Sequence, residues 1–323
     1  MNDNKRVRVA ITHGDTNGIG YELIFKTFAE PEMLELCTPI VYGSPKIAAY
    51  HRNALGIEAN FTIIKDAKDA QEGRLNLLPV FDDEIKGELG VASEESGVAG
   101  LRAVDRALDD YRQGLFDVLV TAPVDNNEQF HFSGQSRYIE DHLETEGQGL
   151  SVLVNEELRV ALATRNLPLR QVAESISKES VINNATTLFR SLRRDFRLSS
   201  PRIAVLGLNP KAGDNGLLGS EEQEFISPAI DELADKGIQA FGPYPADTFF
   251  GCSHAGEFDG ILAMYYEQGL SPFRTLSACQ GINYTAGLPL VRTSAEIPDS
   301  LPLAGKGVAD EQPFRHAVYL AID

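Results

Sequence analysis

The chain contains 323 residues, which is the length of two α/β domains or of one large sheet with insertions. Acidic residues (47) outnumber basic residues (29), and the resulting net charge of −18 disfavours binding to nucleic acid or to an acidic membrane surface. No segment reaches the ~18 consecutive apolar residues of a membrane-spanning helix, and the N-terminal residues do not resemble a secretory signal. A small anionic ligand is compatible with this charge if a few basic side chains converge.

Three widely spaced cysteines, Cys37, Cys252 and Cys279, indicate the redox environment. Their number and spacing fit neither a disulfide framework nor a CxxC metal site. None of them lies in a motif that activates a thiol. We therefore predict a cytoplasmic protein in which each cysteine is a small apolar residue of the core.

Short β-branched or apolar runs alternate with amphipathic segments along the whole chain. This pattern is typical of strand–helix–strand units around a parallel or mixed sheet. A helix is predicted over 98–111, because apolar residues recur at helical spacing and Gly114 follows as a C-terminal cap. A second helix is predicted over 221–237, because Ser220 and Gln223 have the spacing of a capping box. The clearest predicted strands are 7–12, 40–42, 118–121, 160–163, 203–208 and 260–264.

The first predicted strand leads into a glycine-rich loop, HGDTNGIGYE, at residues 13–22. Backbone N–H groups of such a loop can bind an anion at a helix start. However, the spacing of Gly14, Gly18 and Gly20 matches neither the dinucleotide fingerprint nor the Walker A loop. Two interpretations stay open: a ligand cradle with His13 as its polar group, or a tight structural turn in which His13 is a hydrogen-bonded structural residue.

Two later regions carry polar side chains at predicted strand ends. The first, 207–223, reads GLNPKAGDNGLLGSEEQ and follows a strand, where open α/β sheets bind their ligands. The second, 242–292, contains two arginines that can bind a phosphate or carboxylate through charge-assisted hydrogen bonds. Solvated surface charges are the alternative in both regions. The candidate residues are Asn209, Lys211, Asp214, Asp247, Glu267, Arg274, Asn283 and Arg292.

Eight phrases occur in a fixed order over nearly the whole chain. In this combination the sequence resembles the 4-hydroxythreonine-4-phosphate dehydrogenase family of vitamin B6 biosynthesis, which makes pyridoxal phosphate. The phrases are ITHGDTNGIGYE, LVTAPV, RVALATRNLPL, PRIAVLGLNPKAGDNG, GPYPADT, ILAMYYEQGL, NYTAGLPLVRTS and LAGKGVAD.

The resemblance implies a two-lobed α/β fold like that of the isocitrate and isopropylmalate dehydrogenases, with mixed sheets flanked by helices. It implies lobes at 1–128 plus 283–323 and at 129–282, the second carrying much of the dimer interface and the ligand site. It also implies a homodimer with its active site between lobes and subunits. The implied reaction is an NAD- or NADP-dependent oxidation and decarboxylation of a small phosphorylated hydroxy amino acid.

In the family that this chain resembles, three histidines hold a divalent metal. The matching positions here are Asn166, Lys211 and Tyr266. An amide oxygen binds Zn²⁺ weakly, a protonated lysine repels it, and a phenol is protonated at neutral pH. We therefore predict that the metal of the family is absent here. As a hypothesis, the Lys211 ammonium takes its place and pairs with Asp247 and Glu267.

The resemblance also assigns roles to other residues. Gln135 and Ser136 match a phosphate-binding phrase, and the cofactor-side phrase at 296–299 lacks the family's glycine and histidine. A family lysine is replaced by Asn126. Two functions stay open: an active dehydrogenase, or a non-catalytic homologue that binds a small phosphorylated ligand or regulates an intact paralogue. The assigned residues are Lys211, Asp247 and Glu267 for catalysis, and Gln135, Ser136, Arg274, Asn283 and Arg292 for substrate binding.

Overall fold

A computed structural model describes most of the chain and divides it into two compact units. The first unit is Met1–Glu146 with Pro289–Asp323, and the second is Gly147–Leu288. The sequence-based lobes divided the chain at 128 and 283 instead. The described residues are 6–81, 85–124, 134–143, 145, 149–252, 254–278, 280–297 and 300–323.

The strands alternate with helices along the described chain, as the sequence pattern predicts. The strands are β1 Val7–Thr12, β2 Cys37–Gly43, β3 Thr62–Ile63, β4 Asn76–Pro79, β5 Val118–Thr121, β6 Leu150–Val154, β7 Arg159–Leu162, β8 Arg202–Leu206, β9 Gln239–Tyr244, β10 Gly260–Ala263, β11 Ile282–Ala286 and β12 Val291–Ala295. The helices are α1 Gly20–Thr27, α2 Pro31–Leu36, α3 Pro45–Leu55, α4 Glu94–Arg112, α5 Gln135–His142, α6 Leu169–Ser175, α7 Lys178–Arg194, α8 Ser227–Asp235, α9 Ala246–Gly251, α10 Tyr266–Ser277 and α11 Gln312–Ile322.

In the first unit the strand order is β3-β4-β2-β1-β5-β12, and each neighbouring pair is parallel. Helix α4 packs against β1 and β2 through a face of small residues that includes Ala99, Ala103 and Ala107. The helix predicted over 98–111 is therefore confirmed. It begins earlier, because the Ser93 side chain caps it by accepting a hydrogen bond from the Ser96 N–H.

In the second unit the strand order is β11-β6-β7-β10-β8-β9. The first two pairs are antiparallel and the other three are parallel, so the predicted mixed sheet is confirmed. Parallel neighbours direct their carboxyl ends to the same edge of a sheet. The loops after β7, β10 and β8 therefore leave one edge. The core of this unit includes Leu153, Val160, Leu206, Phe249, Ile261 and Phe273.

The helix predicted over 221–237 is present, but its start differs from the prediction. A single π-turn, Glu222–Ile226, leads into α8. The predicted capping box is wrong, because the N-cap residue Glu221 makes no side-chain capping bond. Instead the backbone carbonyl of Ser220 accepts hydrogen bonds from the N–H groups of the third and fourth residues that follow it. The wider π-turn satisfies these donors without the serine hydroxyl.

Two cysteines are described, and both are free thiols. Cys37 is buried, as predicted for a core residue. The same prediction is wrong for Cys252, which is exposed because it follows the last residue of α9. Cys279 lies outside the described residues. Among the described helices, none has the length and apolar composition needed to cross a membrane.

Candidate functional site

Arg292 is a buried cation in the first unit. Its strand β12 pairs with β5, which brings the guanidinium next to Thr121. Nη1 donates to the Ser136 hydroxyl at 3.0 Å and Nη2 donates to the Thr121 hydroxyl at 2.5 Å. Arg292 is only 3% exposed, and neither hydroxyl is charged. Both of these partners are neutral hydroxyls, and a guanidinium is a group that binds phosphate or carboxylate through charge-assisted hydrogen bonds.

Helix α5 begins at this guanidinium. Gly134 precedes the helix with φ of +93°, and the Gln135 amide donates to the Ala122 carbonyl at 2.9 Å. The Gln135 side-chain oxygen is buried and has no hydrogen-bond partner among the described residues. A helix N-terminus favours negative charge. The structure therefore brings together three predicted substrate-binding residues, Gln135, Ser136 and Arg292, in one arrangement suited to an anion.

The segment Pro210–Gly216 after β8 has an unusual backbone. Lys211, Ala212, Gly213, Asp214 and Asn215 all have positive φ, from +44° to +80°. This left-handed conformation is costly for residues with a Cβ. Lys211, the first residue with positive φ, is exposed, so the turn presents an ammonium group to solvent. We call the segment Pro210–Gly216 the left-handed turn.

The three positions that match metal ligands in the resembled family lie beyond the carboxyl ends of adjacent strands. Asn166 follows β7, Lys211 follows β8 and Tyr266 begins α10 after β10. All three are exposed, and Asn166 has a φ of +51°. An amide, an ammonium and a phenol do not fit a divalent metal. Within the described ranges, no cluster of three or more His, Cys, Asp or Glu residues has the arrangement of a metal site.

The other predicted residues of the second unit are dispersed over several elements. Asp247 and Glu267 are exposed residues in the first turns of α9 and α10, and Arg274 lies in the last turn of α10. Asn283 on β11 accepts a hydrogen bond from the Ser151 hydroxyl at 3.1 Å. Where the chain is described, no ion pair joins Lys211 to Asp247 or Glu267, so the hypothesised pairing is not formed here.

The loop at 13–22 is a structural turn in this structure. All residues from His13 to Gly20 are buried. The Asp15 N–H donates to the Pro123 carbonyl at 2.8 Å, and the Asn17 side chain donates to the Val91 carbonyl at 2.9 Å. These internal bonds occupy donors that an anion would need, which favours the structural interpretation over the ligand cradle.

His13 does not have the hydrogen bonds that the structural interpretation expected. Both of its ring nitrogens are buried without a partner among the described residues. The ring stacks on Tyr21 at a centroid distance of 5.3 Å. Burial, with the nearby His51 charge as a smaller cause, lowers the pKa of His13 to about 3. The imidazole is therefore neutral at physiological pH.

Two residues that shape these sites have no role in the sequence interpretation. Thr121 was seen only as the end of a strand, although the LVTAPV phrase contains it. Glu222 lies in a run of acidic residues at the start of the helix predicted over 221–237, yet it is only 3% exposed. A run of charged residues in sequence does not reveal that one of them points inward.

Asn126 and residues 298–299 lie outside the described residues.

Comparison with known proteins first identifies the class of fold. An isocitrate dehydrogenase from Methylococcus capsulatus matches with a TM-score of 0.53 and 11% identity, over 98% of this chain and 84% of that chain. This likeness concerns the fold alone. The chain therefore has an α/β fold, with a mixed sheet flanked by helices, that is similar to the fold of isocitrate dehydrogenase, as the sequence predicted.

Closer matches identify the family. The sequence pattern of the family described as "Pyridoxal phosphate biosynthetic protein PdxA" matches residues 35–321, so the chain belongs to this family. A 4-hydroxythreonine-4-phosphate dehydrogenase from Bacteroides thetaiotaomicron is 51% identical over 100% of this chain and 90% of the relative. The crystal structure of the Klebsiella pneumoniae enzyme of that name matches with a TM-score of 0.85 and 29% identity, over 100% of this chain and 98% of that chain. The resemblance drawn from the eight phrases is confirmed.

Proposed function

We propose that this protein oxidises 4-hydroxythreonine 4-phosphate with NAD or NADP in the synthesis of pyridoxal phosphate. The carbon that bears the secondary hydroxyl loses a hydride to the nicotinamide, and the hydroxyl loses a proton. The resulting β-keto acid then loses CO₂. Family membership and the relative at 51% identity support this proposal, and nothing in these relatives favours a non-catalytic homologue.

The buried Arg292 at the start of α5 is the observation that carries the proposal. A phosphate monoester needs a cation and N–H or O–H donors that converge on its oxygens. Arg292, the Ser136 hydroxyl and the first turn of α5 have this chemistry and are held together by described hydrogen bonds. In our proposal they bind the substrate's phosphate, with Gln135 beside them. Arg274 and Asn283 contact the rest of the substrate.

Lys211 supplies positive charge for the oxidation. Because Asn166, Lys211 and Tyr266 do not fit a divalent metal, no step is assigned to one. An ammonium group can donate hydrogen bonds to the alcohol oxygen and stabilise the negative charge that develops there. Asp247 and Glu267 are the carboxylates available to accept the hydroxyl proton.

The nicotinamide dinucleotide supplies the hydride acceptor when it is bound. The loop at 13–22 does not fit the dinucleotide's phosphates, because its residues are buried and several donors are already bonded internally. NAD or NADP is therefore proposed on family membership alone, and no residue is assigned to it.

We also propose that the protein is a homodimer that associates through its second unit. Large apolar side chains are exposed in this unit, in the loops after β7 and β8, at the start of α6 and on α10. Exposed apolar side chains that are buried on association are typical of a subunit interface. The exposed residues are Leu167, Leu169, Leu217, Leu218, Tyr266 and Leu276.

The function is tested by following NADH or NADPH formation with 4-hydroxythreonine 4-phosphate. We expect turnover that a chelator changes by less than about twofold, because the donor set does not fit a metal. As a matched control, the variant with Asn166→His, Lys211→His and Tyr266→His supplies three imidazoles, which suit Zn²⁺, and its zinc content is measured alongside. Absence of turnover by the unmodified protein with both dinucleotides would overturn the proposed reaction, and complete inhibition by chelation would overturn the role of Lys211.

A further inference from the structure

Glu222 is a buried carboxylate outside the proposed set of catalytic and binding residues. It opens the π-turn Glu222–Ile226, whose wider geometry directs this side chain back toward the loop after β8. Its Oε1 accepts the Asn209 backbone N–H at 2.7 Å, and its Oε2 accepts the Asn209 side-chain amide at 3.0 Å. One carboxylate therefore binds both the backbone and the side chain of the residue that precedes Pro210.

The same carboxylate is enclosed by the left-handed turn. A Cβ on Gly213 would lie 2.6 Å from Glu222 Oε2, and a Cβ on Gly207 would lie 3.2 Å from Oε1. Only glycine allows the backbone to approach this closely. The turn is thus folded around the side chain of Glu222.

Two further side chains, Glu221 and Gln268, hold the residues that precede the left-handed turn. Glu221 accepts the Asn209 side-chain amide at 2.7 Å. Gln268 on α10 donates to the Gly207 carbonyl at 2.7 Å and accepts the Met264 N–H at 2.7 Å. The residues that lead into the left-handed turn are therefore bonded to the π-turn through Asn209 and to α10 through Gly207.

We infer that Glu222 is a positioning residue that fixes the direction of the Lys211 ammonium by stabilising the left-handed turn. This inference rests on the proposed function of Lys211 and adds the reason why an exposed lysine acts as a fixed cation. Positive φ at five consecutive residues, four of which carry a Cβ, is not a conformation that the chain adopts without support. Release of Asn209 would let the turn relax and move the ammonium away from the reacting oxygen.

The test compares Glu222→Gln with Glu224→Gln. Glu224 lies in the same π-turn but is exposed, so its variant is a matched control. Glutamine cannot accept two N–H groups as a carboxylate does, since one end is itself a donor. We expect Glu222→Gln to lower kcat by about tenfold with KM changed by less than about threefold, because the phosphate contacts stay intact. Glu224→Gln stays within about twofold of the unmodified protein.

A double-mutant cycle separates positioning from a purely structural role. In the Lys211→Ala background, Glu222→Gln should lower kcat no further, because the group on which it acts is gone. An equal loss in both backgrounds would overturn the inference. Asn209→Ala provides a second variant with the same expected pattern if Glu222→Gln does not fold. Circular dichroism and the thermal midpoint verify the fold of each variant.

The outcome also distinguishes this inference from the proposed function. If the unmodified protein turns over the substrate and the cycle is additive, only the positioning role fails. If the unmodified protein has no activity, the proposed function fails, and the role of Glu222 in that reaction falls with it. Amide hydrogen exchange of residues 211–215 then tests whether Glu222 stabilises the left-handed turn. Faster exchange in Glu222→Gln than in Glu224→Gln supports this stabilisation, and equal exchange overturns it.

Discussion

At the scale of single residues, Arg292 is the cation that we propose for binding the substrate's phosphate. Its guanidinium is buried and donates hydrogen bonds to the hydroxyls of Ser136 and Thr121. We predict that Arg292→Lys raises KM for the phosphorylated substrate by about 10- to 100-fold, because a lysine keeps the charge but loses the planar set of donors. Charge-assisted hydrogen bonds of about 1.5–3 kcal/mol each account for this range.

The measurement for Arg292 is steady-state kinetics together with inorganic phosphate as a competitive inhibitor. Arg137→Lys is the control, because this arginine follows Ser136 on α5 but is only half-buried and is bonded to Asp141 at 2.9 Å. It should leave both constants unchanged. A KM for Arg292→Lys equal to that of the unmodified protein would show that the phosphate binds elsewhere.

A second prediction at this scale concerns pH. The pKa of His13 is lowered from 6.5 to about 3 in the folded chain, so below pH 6.5 the unfolded chain binds a proton that the folded chain does not. The free energy of unfolding therefore falls as the pH falls from 6.5 toward 3. At about 1.4 kcal/mol per unit, the loss is about 3 kcal/mol at pH 4.5.

Urea denaturation between pH 7 and pH 4.5 measures this dependence. His13→Phe removes the titrating ring while keeping an aromatic partner for Tyr21, so its stability should fall less steeply with acid. His254→Phe replaces an exposed histidine and should retain the original slope. Identical slopes for the His13 variant and the unmodified protein would exclude His13 as a source of acid sensitivity.

At the scale of elements, the turn between β1 and α1 is held by close backbone approach. Gly14 has φ of +74°, and a Cβ there would lie 2.2 Å from the Pro123 carbonyl oxygen. Gly114, after α4, has φ of +69° and open space where its Cβ would be. We predict that Gly114→Ala costs about 1 kcal/mol from its backbone conformation alone. Gly14→Ala should cost at least about 2 kcal/mol more, since the carbonyl must move. Chemical denaturation of both variants checks the difference, and equal losses would contradict the close contact.

Elements differ in how well the sequence predicts them. Strands β1, β5 and β10 are evident because runs of apolar residues lie between turn residues. The left-handed turn is not evident, because Lys211 and Ala212 have no local preference for positive φ. That conformation depends on a distant partner, the inward carboxylate of Glu222, which a pattern of neighbours along the chain does not reveal. The resemblance assigns substrate binding to Ser136 and Arg292, but it does not reveal that Thr121 is a second hydrogen-bond partner of Arg292.

At the scale of the whole molecule, charge and apolar surface have opposite consequences for association. A net charge of −18 makes two copies repel each other at long range. At physiological ionic strength the repulsion decays over a Debye length of about 8–10 Å. The free energy gained by burying apolar surface does not depend on charge and is not reduced in this way. A dimer that associates through the leucines of the second unit is therefore expected to become more stable as salt concentration rises.

The dimer prediction is tested at the two most exposed of these leucines. Leu217 is 81% exposed and Leu169 is 71% exposed. Leu217 lies in the loop after β8, and Leu169 is the first residue of α6, which follows β7. Light scattering should give twice the chain mass of 35.3 kDa for the unmodified protein.

The double variant Leu169→Asp, Leu217→Asp should give a single chain mass, because it places two more acidic groups on each copy in the contact. Ile63→Asp, at an exposed apolar position of the first unit, should remain dimeric. Loss of the dimer in the Ile63 variant alone would assign the interface to the first unit instead.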